Sequence, residues 1–395
     1  MTRPAGIAAA AVTAAAVFVY FLPPPAGATV ATMHAAGLIL LTAGLWALAV
    51  LPEHLTALIF FLLAAVLGIA SPQVVFSGFA SATMWLVLGG FFIAEAVRVT
   101  GLGRRFAAVM FGRFTRSYFG LVCEVAIAST LLAVFMPATV GRILLMVPIV
   151  MALAERVGFK AGSNGYYGLV VAAIIMSYQS GSTILPSNAP NLVLAGAAEA
   201  LYNFHFIYAV WFWVMFPVLG VVKGVLTVWL VCKIFPARMS PQTAGPGLPP
   251  MSAEEKRLAW ILAVSVVLWA TDFMHGVRAG WVALGAAIVC LLPRIGMLGP
   301  EAFHHVRYGS FFYIGAAIGL GALADASGLG SLLGRTLQTT LDIHPGADFT
   351  NFMLLSLFAT GIGLITTNPA QPAVVAPLSA QFAEAAGWPL HAALM

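Results

Sequence analysis

The sequence predicts an all-α polytopic membrane protein built from two inverted repeats, each holding a re-entrant helical hairpin and a broken helix, the second repeat incomplete at the C-terminus. Three observations predict it. The 395 residues are 61% hydrophobic and 8% charged, with a mean hydropathy of +0.99, whereas a soluble domain carries about 25% charged residues. Apolar runs recur near the roughly twenty residues that a bilayer-crossing helix needs. Two polar breaks interrupt such runs at matching places: FMPATVGRILLMVP over 135–148 and ITTNPAQPAVVAP over 365–377. Thr367 follows Ala138 by 229 residues, and Pro377 follows Pro148 by the same interval.

Taken in order, residues 1–75 hold scaffold spans near 6–22, 34–51 and 55–70, and a fourth span runs near 84–97. Residues 101–116 carry Arg104, Arg105, Arg113 and Arg116 between aromatics, the pattern of an interfacial amphipathic helix. The run 118–157 is about twice a span with the polar break in its middle, and reads as a hairpin. The run 166–201 is interrupted by QSGSTILPSNAPN and reads as a discontinuous spanning helix. A span at 210–232 closes the first repeat, 76–234.

Residues 235–257 include MSPQTAGPGLPPMS, the composition of a flexible linker. Beyond it, spans near 258–273, 277–292 and 311–324, a short helix at 329–341 and a hairpin at 349–386 form the second repeat, 258–395. Thr100-Gly101-Leu102-Gly103 recurs as Ser327-Gly328-Leu329-Gly330, again just before a short helix and a hairpin. That recurrence supports an internal repeat independently of the tips.

Charge placement tests the layout, because Lys and Arg collect in cytoplasmic loops. With the N-terminus inside and 118–157 re-entrant, fourteen of the 18 Lys and Arg residues fall inside and only Arg278 and Arg335 outside. Arg142 is left at a tip and Lys223 within a span. A simple crossing at 118–157 would erase the bias. The second half then enters its repeat from the opposite side, so the repeats are inverted and the tips approach the midplane from opposite faces.

The chemistry concentrates at the breaks. Thr139 offers a hydroxyl, Gly141 a close backbone approach and Arg142 a fixed cation, and an Arg at membrane depth faces a cavity or a partner. Helix N-termini opening after each tip favour anions. Thr367, Asn368 and Gln371 supply donors and acceptors at the second tip, where Pro369 and Pro372 remove N–H groups. In the broken helix, Ser182, Thr183, Ser187, Asn188 and Asn191 offer the oxygens that suit Na⁺. Blander roles stand beside these: a kink hydroxyl for Thr139, pairing with Glu95 for Arg142, a helix cap for Asn191. Cys123, Cys232 and Cys290 share no paired spacing and read as core residues. The sequence holds no phosphate loop and no recurring His/Glu/Asp spacing, so an enzyme is not expected. Nucleic-acid binding is not expected either, since the basic residues line up as topology signals.

These motifs resemble the divalent anion:sodium symporter family of the ion transporter superfamily. Ala138-Thr139-Val140-Gly141-Arg142 with Pro148 is similar to the Ser-Asn-Thr-Ala-Arg tip of the branch with citrate/succinate antiporters and plastid 2-oxoglutarate/malate translocators. Ala189-Pro190-Asn191 resembles that branch's Ala-Pro-Asn loop. Leu22-Pro23-Pro24-Pro25-Ala26-Gly27, Phe76-Ser77-Gly78-Phe79 and Trp85-Leu86-Val87-Leu88-Gly89-Gly90 fit its N-terminal half. The resemblance implies an elevator-type or rocking carrier for small anions, namely di- or tricarboxylates or an oxyanion such as sulfate. It also implies a homodimer in the lipid bilayer, driven by Na⁺ or by anion exchange, with no other cofactor. The expected location is a bacterial inner membrane with the N-terminus cytoplasmic. Ala138, Val140 and Pro369 depart from the tip pattern, and a counterpart of Asn191 would fall beyond Met395. A transport-inactive or truncated membrane scaffold is the alternative these departures raise.

Overall fold

The computed structural model describes residues 3–110, 117–136, 139–239, 250–368 and 370–395. The readings placed on Arg113, Arg116, Ala138, Pro369 and the centre of the linker lie outside them. Every regular element among the described residues is helical. An apolar chain folds this way because a helix satisfies its own backbone, whereas an open strand edge in hydrocarbon does not. Val30–Ala47, Ala82–Thr100, Tyr208–Ile234 and Tyr308–Ala326 are long and apolar enough to cross a membrane. The all-α membrane fold read from composition is thus the observed one. The chain forms two compact units.

The first unit comprises Met1–Met84, Ala189–His205 and Arg307–Met395. Its axis is helix Tyr308–Ala326, buried without interruption from Tyr313 to Ala324. Glycines let neighbours close on it: a Cβ on Gly319 would stand 2.3 Å from the Val75 carbonyl oxygen, and one on Gly78 would stand 2.6 Å from that of Gly315. Val75 and Gly78 belong to two short helices, Pro72–Val75 and Ser77–Ala80, which the sequence did not announce. The third span, Glu53–Val66, ends four residues before the expected 70, because Gly68 turns the chain with a φ of +61° that a side chain resists.

The unit's hairpin has a straight first arm, Asp348–Ile365, and a segmented return: Ala370–Val375, a 3₁₀ turn Ala376–Leu378, then Ser379–Ala386. The Trp388 indole N–H donates to an Asp348 carboxylate oxygen at 2.8 Å, closing the base. Phe382, Leu378 and Ile343 fill the space behind it.

The second unit comprises Trp85–Asn188 and Phe206–Val306. Its axis is helix Asn164–Thr183, capped by Ser163 and flanked by both arms of the other hairpin, Tyr118–Phe135 and Thr139–Arg156. The Tyr118 ring meets Phe159 edge-on, centroids 5.7 Å apart, so the chain that leaves at Tyr118 returns beside it. Pro148 sits inside a continuous return arm. Helix Tyr208–Ile234 carries a π-helical stretch, Phe216–Val222, where Pro217 lacks the N–H that the α-ladder needs. At the linker's exit, Ser252 and Glu255 form a capping box on Ala253–Ala270. Arg105 reaches the same carboxylate at 2.7 Å, tying the amphipathic helix Leu102–Met110 to it.

Candidate functional site

At the first tip, helix Tyr118–Phe135 stops as Met136 turns extended, at φ −123° and ψ 100°. The next residue is Pro137, whose ring disfavours helical backbone just before it. A new helix opens at Thr139 and buries Arg142 completely, at 0% exposure. Facing it, Asn164–Thr183 breaks at Ile184, a 3₁₀ turn Leu185–Ser187 follows, and Asn188 is again extended. Pro186 lies within that turn and removes one N–H from it.

The break frees oxygens, and Arg142 collects them. Its Nη1 donates to the Met136 carbonyl, to the Ser187 carbonyl at 2.9 Å and to Ser187 Oγ at 2.8 Å. Its Nη2 donates to the Ser177 carbonyl at 3.0 Å and to Thr139 Oγ1 at 3.2 Å. Nε has no acceptor. Thr139 Oγ1 donates in turn to Asn188 Oδ1 at 3.5 Å. Gly181 packs against all three: a Cβ there would lie 3.0 Å from Arg142 Nη2, 3.1 Å from Thr139 Oγ1 and 3.2 Å from Asn188 Cβ. No carboxylate pairs with Arg142 among the described residues. Glu95, the partner weighed from sequence, is held by Arg98 at 2.7 Å instead. The site is therefore a buried, unneutralised positive charge solvated by protein dipoles.

The second tip, in the first unit, is uncharged. Thr366 is extended, and the Thr367 carbonyl accepts from Ala370 N at 2.9 Å, starting the return arm. The Thr367 hydroxyl bonds the buried Tyr313 hydroxyl at 2.8 Å, and Tyr313 leans edge-on against Trp46. Gln371 Nε2 donates back to the Ala359 carbonyl at 2.8 Å, stapling the two arms. Asn368 is exposed. Gln371 and Asn191 both line a cavity of about 320 Å³ that Phe352, Phe358 and Trp388 also wall.

The predicted residues thus separate. Thr139, Gly141, Arg142, Ser182, Thr183, Ser187 and Asn188 lie in the second unit, and Asn191, Thr367, Asn368 and Gln371 lie in the first. Within the second unit, Thr139, Arg142, Ser187 and Asn188 converge. Thr183 turns its hydroxyl back to the Ser180 carbonyl at 2.7 Å, and the Ser182 carbonyl accepts from Trp211 Nε1 at 3.3 Å. Sequence reasoning missed Ser177, Met136 and Tyr313. The first two act through main-chain carbonyls, which no residue type announces. Tyr313 is one aromatic in a run of them.

Broken backbone between apolar helices is the arrangement that secondary transporters use at their binding sites. The sequence matches the family described as the sodium:sulfate symporter transmembrane region over residues 6–395, and the chain belongs to that family. That family is one of integral membrane transporters and not of enzymes. It is 25% identical over 373 residues to a protein of Cupriavidus necator named only as a membrane protein, covering 88% of this chain and 72% of that one. It is 24% identical over 281 residues to the L-tartrate/succinate antiporter of Escherichia coli K12, covering 67% of this chain and 57% of the antiporter. The homologous antiporter of E. coli UTI89 aligns over the same shares. The chain therefore spans little more than half the length of the antiporters it matches.

Proposed function

We propose that the protein is a secondary active carrier of small organic di- or tricarboxylates or a related oxyanion, coupled to counter-anion exchange or to Na⁺. The observation that carries this reading is Arg142. A charge taken out of water without a counter-ion is costly, and a mobile anion at the tip offsets that cost each time it binds. Thr139, Gly141 and Arg142 serve the substrate at the first tip, and Thr367, Asn368 and Gln371 serve it at the second. With Asn188 Oδ1 engaged by Thr139, its NH₂ group remains to donate to a carboxylate. Arg142 acts through its field, since both Nη groups are already used. Relatives named as tartrate/succinate antiporters favour four-carbon dicarboxylates among these anions.

The carrier works as a homodimer in a bacterial inner membrane with its N-terminus cytoplasmic, which the skewed distribution of Lys and Arg supports. Proteoliposomes holding the full chain test the reading. Uptake of labelled succinate, L-tartrate, citrate and sulfate is measured with and without preloaded counter-anion, and with and without an inward Na⁺ gradient. Saturable uptake that weakens on substitution at both tips is expected. Well-folded protein that moves none of the four would sink the carrier reading and favour an inactive scaffold.

A further inference from the structure

We infer that the apolar cavity beneath the amphipathic helix Leu102–Met110, in the second unit, holds one acyl chain of an anionic phospholipid whose phosphate rests on Arg104.

The cavity has a volume of about 370 Å³, and every residue lining it is apolar, among them Val97, Leu102, Phe106, Leu132, Ala259 and Ala263. Protein interiors are packed nearly as densely as organic crystals, and an apolar lining does not hold water. In a bilayer the apolar material at hand is the lipid chain. The amphipathic helix roofs the space without filling it. Gly103 sets it down on the hairpin instead: a Cβ there would stand 2.9 Å from Leu145 Cδ2 and 3.1 Å from Val97 Cγ1. On the facing helix, Ala259 and Ala263 are too small to reach across.

The occupant's charge follows from the mouth. Glu255, Ala259, Leu262, Ala263 and Val266 recur at helical spacing, so they share one face of Ala253–Ala270. Glu255 therefore stands at the end of the cavity nearest the start of that helix. There it accepts from Arg105 Nε at 2.7 Å, while Arg105 Nη2 donates to the Pro250 carbonyl at 3.2 Å. The stretches 95–106 and 252–257 together carry five cations against three carboxylates. Glu95 holds Arg98, Glu255 holds Arg105, and Arg257 donates to the Ile295 carbonyl. Arg104, next in sequence to the clamped Arg105, is exposed and joins no ion pair among the described residues. A guanidinium takes a phosphate through two parallel hydrogen bonds, and basic pockets between membrane helices on the cytoplasmic side bind anionic headgroups. On the topology proposed above, this mouth opens to that side. Leu132 gives the site a consequence. It lies three residues before the end of the hairpin arm Tyr118–Phe135, so a chain seated against it braces that arm.

The test uses the purified full chain, delipidated in detergent. Thermal unfolding midpoints are followed as dioleoyl phosphatidylglycerol or dioleoyl phosphatidylcholine is added at equal mole fraction. The wild type is expected to gain at least about 3 °C more from phosphatidylglycerol than from phosphatidylcholine. Arg104→Gln is expected to lose that difference, and Ala263→Phe, which fills the cavity, to lose most of the gain from both lipids. Equal gains from the two lipids in the wild type overturn the inference. So does a phosphatidylglycerol preference that Arg104→Gln leaves intact, or a gain that a folded Ala263→Phe protein keeps in full. A second measurement needs no variant: phosphatidylglycerol bearing a diazirine in one acyl chain is photocrosslinked to the wild type in nanodiscs, and the labelled peptides are mapped. Labelling concentrated on residues 97–106 and 259–266, and displaced by excess phosphatidylglycerol but not by phosphatidylcholine, is expected. Labelling spread over the exposed faces of the spans, displaced equally by both lipids, overturns the inference even where the variants fail to fold.

Discussion

Trp388 donates its indole N–H to Asp348 at 2.8 Å, and Phe159, which stands 229 residues before Trp388, packs edge-on against Tyr118 at 5.7 Å. Each contact joins the start of a hairpin's first arm to the residue just beyond its return arm. The two closures occupy the same interval as the two tips, yet one is a polar bond at an exposed base and the other an aromatic pair in a buried one. A hairpin so closed is held at its base, which leaves its tip as the end free to specialise.

The two closures are expected to differ in strength. Phe159 is 9% exposed, and Phe159→Ala removes a buried ring, at a cost of about 3 kcal/mol. Trp388→Phe keeps the bulk and loses one solvent-exposed hydrogen bond, about 1 kcal/mol. Thermal melts of the two purified variants order them directly. Equal losses would mean that the Phe159 site collapses around the missing ring.

Arg142→Gln removes the charge, keeps two N–H donors of the five and adds an acceptor oxygen. Uptake of dianions is expected to fall at least about tenfold, corresponding to about 1.4 kcal/mol, and uptake of monoanions by less. Proteoliposome uptake of succinate set against a monocarboxylate of similar size reads the ratio. Equal losses for both would assign Arg142 a purely structural role.

Gly181→Ala places a methyl 3.0 Å from Arg142 Nη2 and 3.1 Å from Thr139 Oγ1, closer than these groups tolerate without shifting. Succinate uptake is expected to fall about fivefold or more, equivalent to about 1 kcal/mol. Gly224→Ala is the matched control: its nearest neighbours, Met176 Cε and Gln179 Nε2, lie at 3.5 and 3.8 Å. It is expected to transport as wild type.

Tyr313→Phe tests the second tip. Losing the 2.8 Å bond frees the Thr367 hydroxyl to rotate, and the KM for succinate is expected to rise about threefold to tenfold, within the range of one hydrogen bond. Thr367→Val should raise KM by a similar factor, and the double variant should add little, because the two hydroxyls act as one unit. A fully additive double variant would show that Thr367 works without Tyr313.

What the sequence makes legible is set by where the chemistry resides. Arg142 stands out because a cation among apolar residues is costly, and Ser187 because Ser-Asn-Ala-Pro-Asn cannot continue an apolar helix. Their meeting is not legible. It depends on the Ser177 and Met136 carbonyls, and backbone acceptors leave no trace in residue type. Pro148 and Pro377 show the same limit. Spaced alike from their tips, they read as equivalent, but Pro148 rides inside a continuous helix while Pro377 lies in a 3₁₀ turn. There the Tyr202 hydroxyl donates to the Ala376 carbonyl at 2.8 Å, a contact from a distant part of the chain that the local pattern does not announce.

The linker's exit should respond to acid. Arg105 at 2.7 Å, together with the Ser252 backbone N–H, holds the Glu255 carboxyl below the usual carboxylate range. A carboxylate whose folded-state pKa is depressed contributes stability that is fully present above its unfolded value, about 4.3, and that is lost as pH falls through the lower folded value. The wild-type melting midpoint is therefore expected to drop between about pH 5 and pH 3, and Glu255→Gln, which cannot titrate, should lose less over that interval. The Gln variant starts lower at pH 7, because it gives up the ion pair and part of the capping box, so the two curves converge on acidification. Parallel curves would show that the clamp between Arg105 and Glu255 adds nothing to the folded state.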